Sequence, residues 1–222
     1  MNINIGAGKW THEGWITLGN HTKYETDYNI IFDLNLENPL PLEDNSVDIF
    51  YCSHVLEHLS NKKVNHIIKE LYRTLKPKGV VRILVPDLER AYNKFISREY
   101  NDEFFMTYYR QKDYPFLRNP WYLYNIFYSR NDIDEKEFKK NLRIMNMEDL
   151  FNYYTKDKEQ IPESAGEHIN WFTFNKFKDI LKDYSEVYQS KPGESRFEEM
   201  RGEGFDFFKR RNLYSLIVEA IK

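Results

Sequence analysis

The first half of the chain alternates short β-branched and apolar runs with turn residues. Ile3 and Ile5 lead into Gly6-Ala7-Gly8, as a strand into a tight loop. Trp15-Ile16-Thr17-Leu18 reads as a second strand, Ile30-Ile31-Phe32 as a third ending at Asp33, and Val47 to Cys52 as a fourth. Val80 to Val85 is the fifth, stopped by Pro86. Between the fourth and fifth, Val64, Ile67, Ile68, Leu71 and Leu75 recur at helical spacing. Lys76-Pro77-Lys78-Gly79 is expected to end that helix, because proline cannot continue it and glycine suits the turn.

Strands separated by connections of this length imply parallel crossovers. The expected fold is α/β: a Rossmann-like, open, mostly parallel seven-stranded sheet. From Leu88 to about residue 165 the pattern becomes helical and rich in aromatics, including Tyr100, Phe104, Tyr108, Trp121 and Tyr128. This stretch is expected to be a helical insertion after strand five, within a single domain spanning 1–222. Thr173 is placed to cap a last helix carrying Phe174, Phe177, Ile180 and Leu181. Val187-Tyr188-Gln189 and Leu213 to Val218 read as two final strands, an antiparallel pair at the margin of the sheet.

With 222 residues, of which 41% are hydrophobic and 17% aromatic, the chain is long enough for one sizeable core and too aromatic for disorder. The formal net charge of -3 argues against a dedicated nucleic-acid binder. One cysteine, Cys52, excludes an internal disulfide and a cysteine-based zinc site and suits a reducing compartment; it is expected to be a small buried hydrophobe. No secretory pattern opens the sequence, and no apolar stretch approaches the roughly 20 residues of a membrane span. A soluble, cytoplasmic protein is expected.

In an open α/β sheet, ligands bind outside the carboxyl ends of the strands. Those ends carry Gly6-Ala7-Gly8, Asp33-Leu34, Ser53-His54 and Pro86-Asp87. A dinucleotide fingerprint would need a third glycine where Thr11 stands, and Gly8 is too close to Trp15 for a full first helix.

These residues, in this order, resemble the class I S-adenosylmethionine-dependent methyltransferases. The resemblance rests on Asn4 to Gly8, Gly14-Trp15-Ile16, Asp33-Leu34 and Pro41 to Asp48. It continues through Ser53 to Leu59, Glu70 to Gly79, Arg82 to Leu88 and the terminal Ser215 to Ala220. It covers the first ninety or so residues well, the end more loosely and the middle not at all. It implies S-adenosylmethionine as cofactor, held by Gly6, Ala7, Gly8, Lys9, Trp10, Asp33, Leu34, Ser53 and His54. It further implies a small bacterial subgroup associated with surface-polysaccharide assembly. The acceptor is then a sugar, nucleotide-sugar or other phosphate- or phosphoramidate-bearing small molecule, methylated on oxygen.

Two departures stand out. The family's ribose-binding acid ending strand two is here Gly19; losing a charged acceptor is worth about 1.5–3 kcal/mol unless another group, such as Glu25 or Asp27, substitutes. The usual Pro-Gly-Gly turn is Pro77-Lys78-Gly79.

A sugar hydroxyl needs a base, for which His54, His168 and Asp87 are the candidates. An anionic oxygen needs none, and Arg82, Arg90, Arg110, Arg118 or Arg130 would clamp it. His54-Val55-Leu56-Glu57-His58 also matches a His-x-x-Glu-His zinc hydrolase pattern. Against it, His54 sits at a strand-to-helix junction. Glu57 suits a helix N-terminus, and His58 is expected to bond to a neighbouring loop. Some methyltransferase relatives bind a divalent ion near this helix, but no metal ligand is assigned. The other alternative is a non-catalytic interaction protein in which Gly19 marks lost cofactor affinity.

Overall fold

β-Branched and apolar runs separated by Gly, Asn and Asp set out the strands of one sheet. They are β1 (Asn2–Ile5), β2 (Trp15–Gly19), β3 (Ile30–Ile31), β4 (Val47–Ser53), β5 (Leu75–Pro86), β6 (Glu186–Ser190) and β7 (Ser215–Ile221). The computed structural model describes residues 1–8, 12–20, 28–99, 134–156, 158, 167–201 and 215–222. The aromatic run Tyr100 to Tyr128 lies outside them, as do Lys9, Trp10, Glu25, Asp27, Arg110, Arg118 and Arg130.

The strand order is β3-β2-β1-β4-β5-β7-β6. Pairings β1–β2, β1–β4, β2–β3 and β4–β5 are parallel, whereas β7 pairs antiparallel with both β5 and β6. The sheet is thus mixed, with β7 running against its neighbours. From β1 the chain first builds outward through β2 and β3, then returns to place β4 on the other side of β1. The reversal opens a crevice between the carboxyl ends of β1 and β4, where an α/β sheet receives ligands.

The interiors of β1, β4, β7 and most of β5 are buried, whereas the edge strands β3 and β6 are not. One face gathers Ile3, Ile5, Phe50, Cys52, Val81, Ile83 and Val85 against Val64, Ile67, Ile68 and Leu71 of α1 (Asn61–Thr74) and Phe177 of α5 (Phe174–Ile180). The other gathers Ile49, Tyr51, Val80, Leu84 and Ile217 under Met200. Cys52 is fully buried and burial pushes its thiol pKa up, as expected of a core residue. The Thr173 hydroxyl accepts from the Lys176 N–H and so caps α5. Asp87 starts α2 (Leu88–Ser97) in the same way. Asp134 and Asn146 start α3 (Glu135–Ile144) and α4 (Met147–Thr155). No helix among the described residues is long and apolar enough to cross a membrane.

Two boundaries differ from the sequence reading. The helix ends at Thr74, and Leu75 is already in β5, paired with Val47. The register then shifts before Ile49 meets Val80, so Lys76 to Gly79 form an irregularity inside the strand rather than a connecting turn. Pro77 is tolerated there because it owes no hydrogen bond to the ladder. The left-handed residue is Lys78, at φ 68°, not the glycine. Gly79 is required for room, since a Cβ there would lie 2.9 Å from the Lys76 carbonyl oxygen. The third strand is only two residues long, because Asp33 turns the chain by accepting the Asn35 N–H at 2.9 Å.

Candidate functional site

The turn after β1 is built for close approach. Gly6 and Gly8 both adopt left-handed backbone, at φ 62° and 56°. Gly6 donates its N–H to the Leu18 carbonyl at 2.7 Å, and a Cβ on it would fall 2.5 Å from a Val55 methyl group. Its smallness serves packing against the segment that follows β4. Gly8 differs: among the described residues, its two chain neighbours apart, no atom lies within 4 Å of the place its Cβ would occupy. Among those residues its backbone borders open space at the crevice. Ala7 between them is buried. Asp33 stands half-buried two residues past β3 with one oxygen in its own turn, and Leu34 is part of the core.

Gly19 ends β2 where the resemblance calls for an acid. The ring of Tyr28 fills the place a side chain would take, 2.6 Å from the projected Cβ. Tyr28 was not a sequence candidate; its signal was Gly19, a glycine at a strand end that makes room for a neighbour.

Ser53 closes β4, and His54 follows in left-handed backbone at φ 55°. That conformation is uncommon for histidine and is held from three sides. The His54 N–H donates to the Leu84 carbonyl at 2.8 Å, Nδ1 donates to Glu57 Oε1 at 2.9 Å, and Nε2 lies 2.9 Å from Ser215 Oγ. Both ring nitrogens are engaged, so the structure does not present His54 as an open base. Sequence inspection had no means of finding Ser215, which is 161 positions away. Nor do His54 and His58 share a helix face. The segment between them is a 3-10 turn, Leu56–His58, and the geometry of a two-histidine zinc helix is not met.

Instead, His58 and His168 meet, with ring centres 4.8 Å apart and edge to face. Glu57 is buried beside them. Burial pushes its carboxyl up, but the His54 hydrogen bond and the charges of His54, His58 and His168 outweigh that and bring it down to about 2. The expected loop contact of His58 is present: its Nδ1 donates to the Glu167 carbonyl at 2.9 Å.

Asp87, the third catalytic candidate, follows β5. Its Oδ1 accepts the Arg90 N–H at 3.0 Å, and burial pushes its carboxyl pKa up. It lines a cavity of about 490 Å³ together with Arg90, Asn93, Lys94, Phe174 and Gln189. Arg82, read as an anion clamp, is instead fully buried against the equally buried Glu219 on β7 and bonds the Lys191 and Glu194 carbonyls. It is structural.

Residues 18–83 match the family model described as a methyltransferase domain, the stretch from β2 into β5. No curated protein matches the chain. Among solved structures, the chain is similar to an S-adenosylmethionine-dependent methyltransferase from Archaeoglobus fulgidus. Identity is 12% and the TM-score 0.45, over 100% of this chain and 85% of that one. It is also similar to human N-acetylserotonin methyltransferase in complex with S-adenosylmethionine, at 12% identity and TM-score 0.43, spanning about half (47%) of that enzyme. These likenesses are distant. The domain match supports S-adenosylmethionine as the cofactor.

Proposed function

We propose that the protein is an S-adenosylmethionine-dependent methyltransferase acting on oxygen of a small acceptor. The observation that carries this reading is the Gly6-Ala7-Gly8 turn at the β1–β4 crevice. There Gly8 leaves open the space a Cβ would fill, in a chain whose residues 18–83 match a methyltransferase domain. The residues fit the cofactor at that turn and depart from the family pattern at Gly19.

When bound, the cofactor supplies an already activated methyl group, so the chain is left with alignment, exclusion of water and handling of one proton. Backbone at Gly6 and Gly8 is positioned to lie against the cofactor without side-chain interference. Asp87 is the best-placed base: Oδ1 is committed to capping α2, which leaves Oδ2 to accept a proton from an acceptor hydroxyl. A carboxyl held above its ordinary range is better suited to that task than a fully solvated one. Arg90 and Lys94 line the cavity with Glu89 and Glu99, and Lys94 pairs with Glu99 at 3.1 Å, so the lining offers charges of both signs to a polar acceptor such as a sugar or nucleotide sugar, as in surface-polysaccharide assembly.

Calorimetric titration with S-adenosylmethionine and S-adenosylhomocysteine tests this. Micromolar binding is expected. Gly8→Val, which adds a side chain to the open space and strains a left-handed residue by about 1–2 kcal/mol, should fold yet bind at least ten-fold more weakly. Equal affinity in that folded variant would remove the turn from the site. A folded wild-type protein that binds neither compound up to millimolar concentration would instead favour the non-catalytic interaction protein, a reading that the replacement of the ribose-binding acid by Gly19 and Tyr28 supports.

A further inference from the structure

Glu57, His58 and His168 each offer one ligand atom, and those atoms lie within 4.8 Å of one another. Nothing in the proposed methyl transfer uses them. We propose that these residues hold a divalent first-row transition-metal ion, with the carboxylate and two imidazoles as ligands and the remaining positions open to water or an oxygen ligand.

Several independent features carry this. Glu57 is 1% exposed, and its two oxygens differ: Oε1 accepts from His54, whereas Oε2 is buried with no hydrogen-bond partner among the described residues. A buried carboxylate oxygen without a partner is costly unless a cation or proton meets it.

The tautomer of His58 is also fixed. A carbonyl can only accept, so Nδ1 carries the proton that bonds Glu167, and the lone pair is on Nε2. Donation of the second ring nitrogen to a backbone carbonyl is the usual orienting contact of a metal-bound histidine. His54 plays the same part for Glu57, as a positioning residue rather than a ligand.

The loop carrying His168 is pinned over the turn carrying the other two. The Ile169 and Asn170 N–H groups both donate to the Glu57 carbonyl, at 2.8 and 3.1 Å, and the Asn170 amide donates to the Leu59 carbonyl at 3.0 Å. An ion bound at about 2.1 Å from each ligand would draw the three atoms to about 3.4 Å from one another, a contraction of at most about 1.4 Å from the present separations. Two imidazoles favour zinc, cobalt, iron or manganese over magnesium or calcium, which prefer all-oxygen sites.

The experiment uses the full chain, stripped with a chelator and dialysed. Cobalt(II) is titrated while visible absorption is followed, then zinc is titrated by calorimetry with millimolar magnesium present. One equivalent should bind at micromolar or lower dissociation constant, with a cobalt spectrum of low coordination number. His58→Ala and His168→Ala should each weaken binding at least ten-fold, and His54→Ala should weaken it less. Glu57→Gln should also weaken binding at least ten-fold; circular dichroism confirms folding, and the two histidine variants stand in if Glu57→Gln does not fold.

No stoichiometric uptake by folded wild-type protein, or uptake unchanged in the His58→Ala/His168→Ala double variant, overturns the proposal and leaves a hydrogen-bonded cluster. Cofactor titration of the same stripped protein separates this result from the methyltransferase reading. Either can fail while the other stands.

Discussion

At the scale of single residues, the glycines of the β1 turn divide their labour. Among the described residues nothing meets a Cβ at Gly8, while Val55 meets one at Gly6. Gly6→Ala therefore carries two penalties, a left-handed alanine at about 1–2 kcal/mol and a Cβ driven against a stiff β-branched side chain. The variant should lose about 2–4 kcal/mol in urea denaturation, a range set by strain plus overpacking. The second change Val55→Ala should return part of that loss. A double variant no more stable than Gly6→Ala would show that the contact does not set the cost. The same scale explains why the histidines were only half legible. His-x-x-Glu-His suggests pairing His54 with His58, but φ 55° at His54 turns that ring to Glu57 and Ser215. The partner that His58 does meet, His168, is more than a hundred positions on.

At the scale of elements, β5 and β7 are joined by more than their ladder. Arg82 and Glu219 face each other across the pair, both fully buried. Tyr188 of β6 also donates to Glu219, which ties three adjacent strands together. Removing one partner leaves a buried charge uncompensated and should cost about 3–5 kcal/mol, whereas replacing both with apolar residues should cost much less. Arg82→Met alone and Arg82→Met/Glu219→Leu, compared by urea denaturation, check this; equal losses would show that the pair is not what the single variant breaks. A charged pair inside a sheet is invisible to apolar patterning. Arg82 looked available for substrate because nothing local to Val81-Arg82-Ile83 announces Glu219. By contrast, strands with β-branched runs and the Thr173 cap were legible because the physics that forms them is local. The start of β5 was not: Pro77 and Gly79 signal a helix stop, and only pairing with Val47 shows that the strand has already begun.

At the scale of the whole molecule, several carboxylates titrate below their ordinary range. Hydrogen bonds from Lys76 and from the amino terminus lower Asp48, and a hydrogen bond from Arg73 lowers Glu70. Glu57, at about 2 against an ordinary 4.5, is the furthest displaced. A group with a lowered folded pKa contributes stability that is complete above its unfolded pKa and disappears as pH falls through the folded one. Folding should therefore weaken from about pH 4.5 downward, and Glu57's share should vanish between 4.5 and about 2. Asp87 has the opposite sign, because its raised pKa favours the fold only while the carboxyl is protonated. Urea midpoints at pH 5, 4 and 3 should fall less steeply for Glu57→Gln than for wild type; parallel slopes would mean that this carboxyl is not held down in the folded state.

The position of β7 bears on how such a chain is made. Among the described residues β6 pairs with β7 alone, and β7 separates it from β5 although it follows both in sequence. On the ribosome, β1 to β5 can assemble as they emerge, but one long side of β5 stays uncovered and β6 has nowhere to dock. Both wait until residues 215–221 clear the exit tunnel. A nascent chain stalled before that point presents an apolar, unpaired strand to chaperones and to other copies of itself, and the seven residues of β7 are the stitch that closes the sheet between two strands made before it.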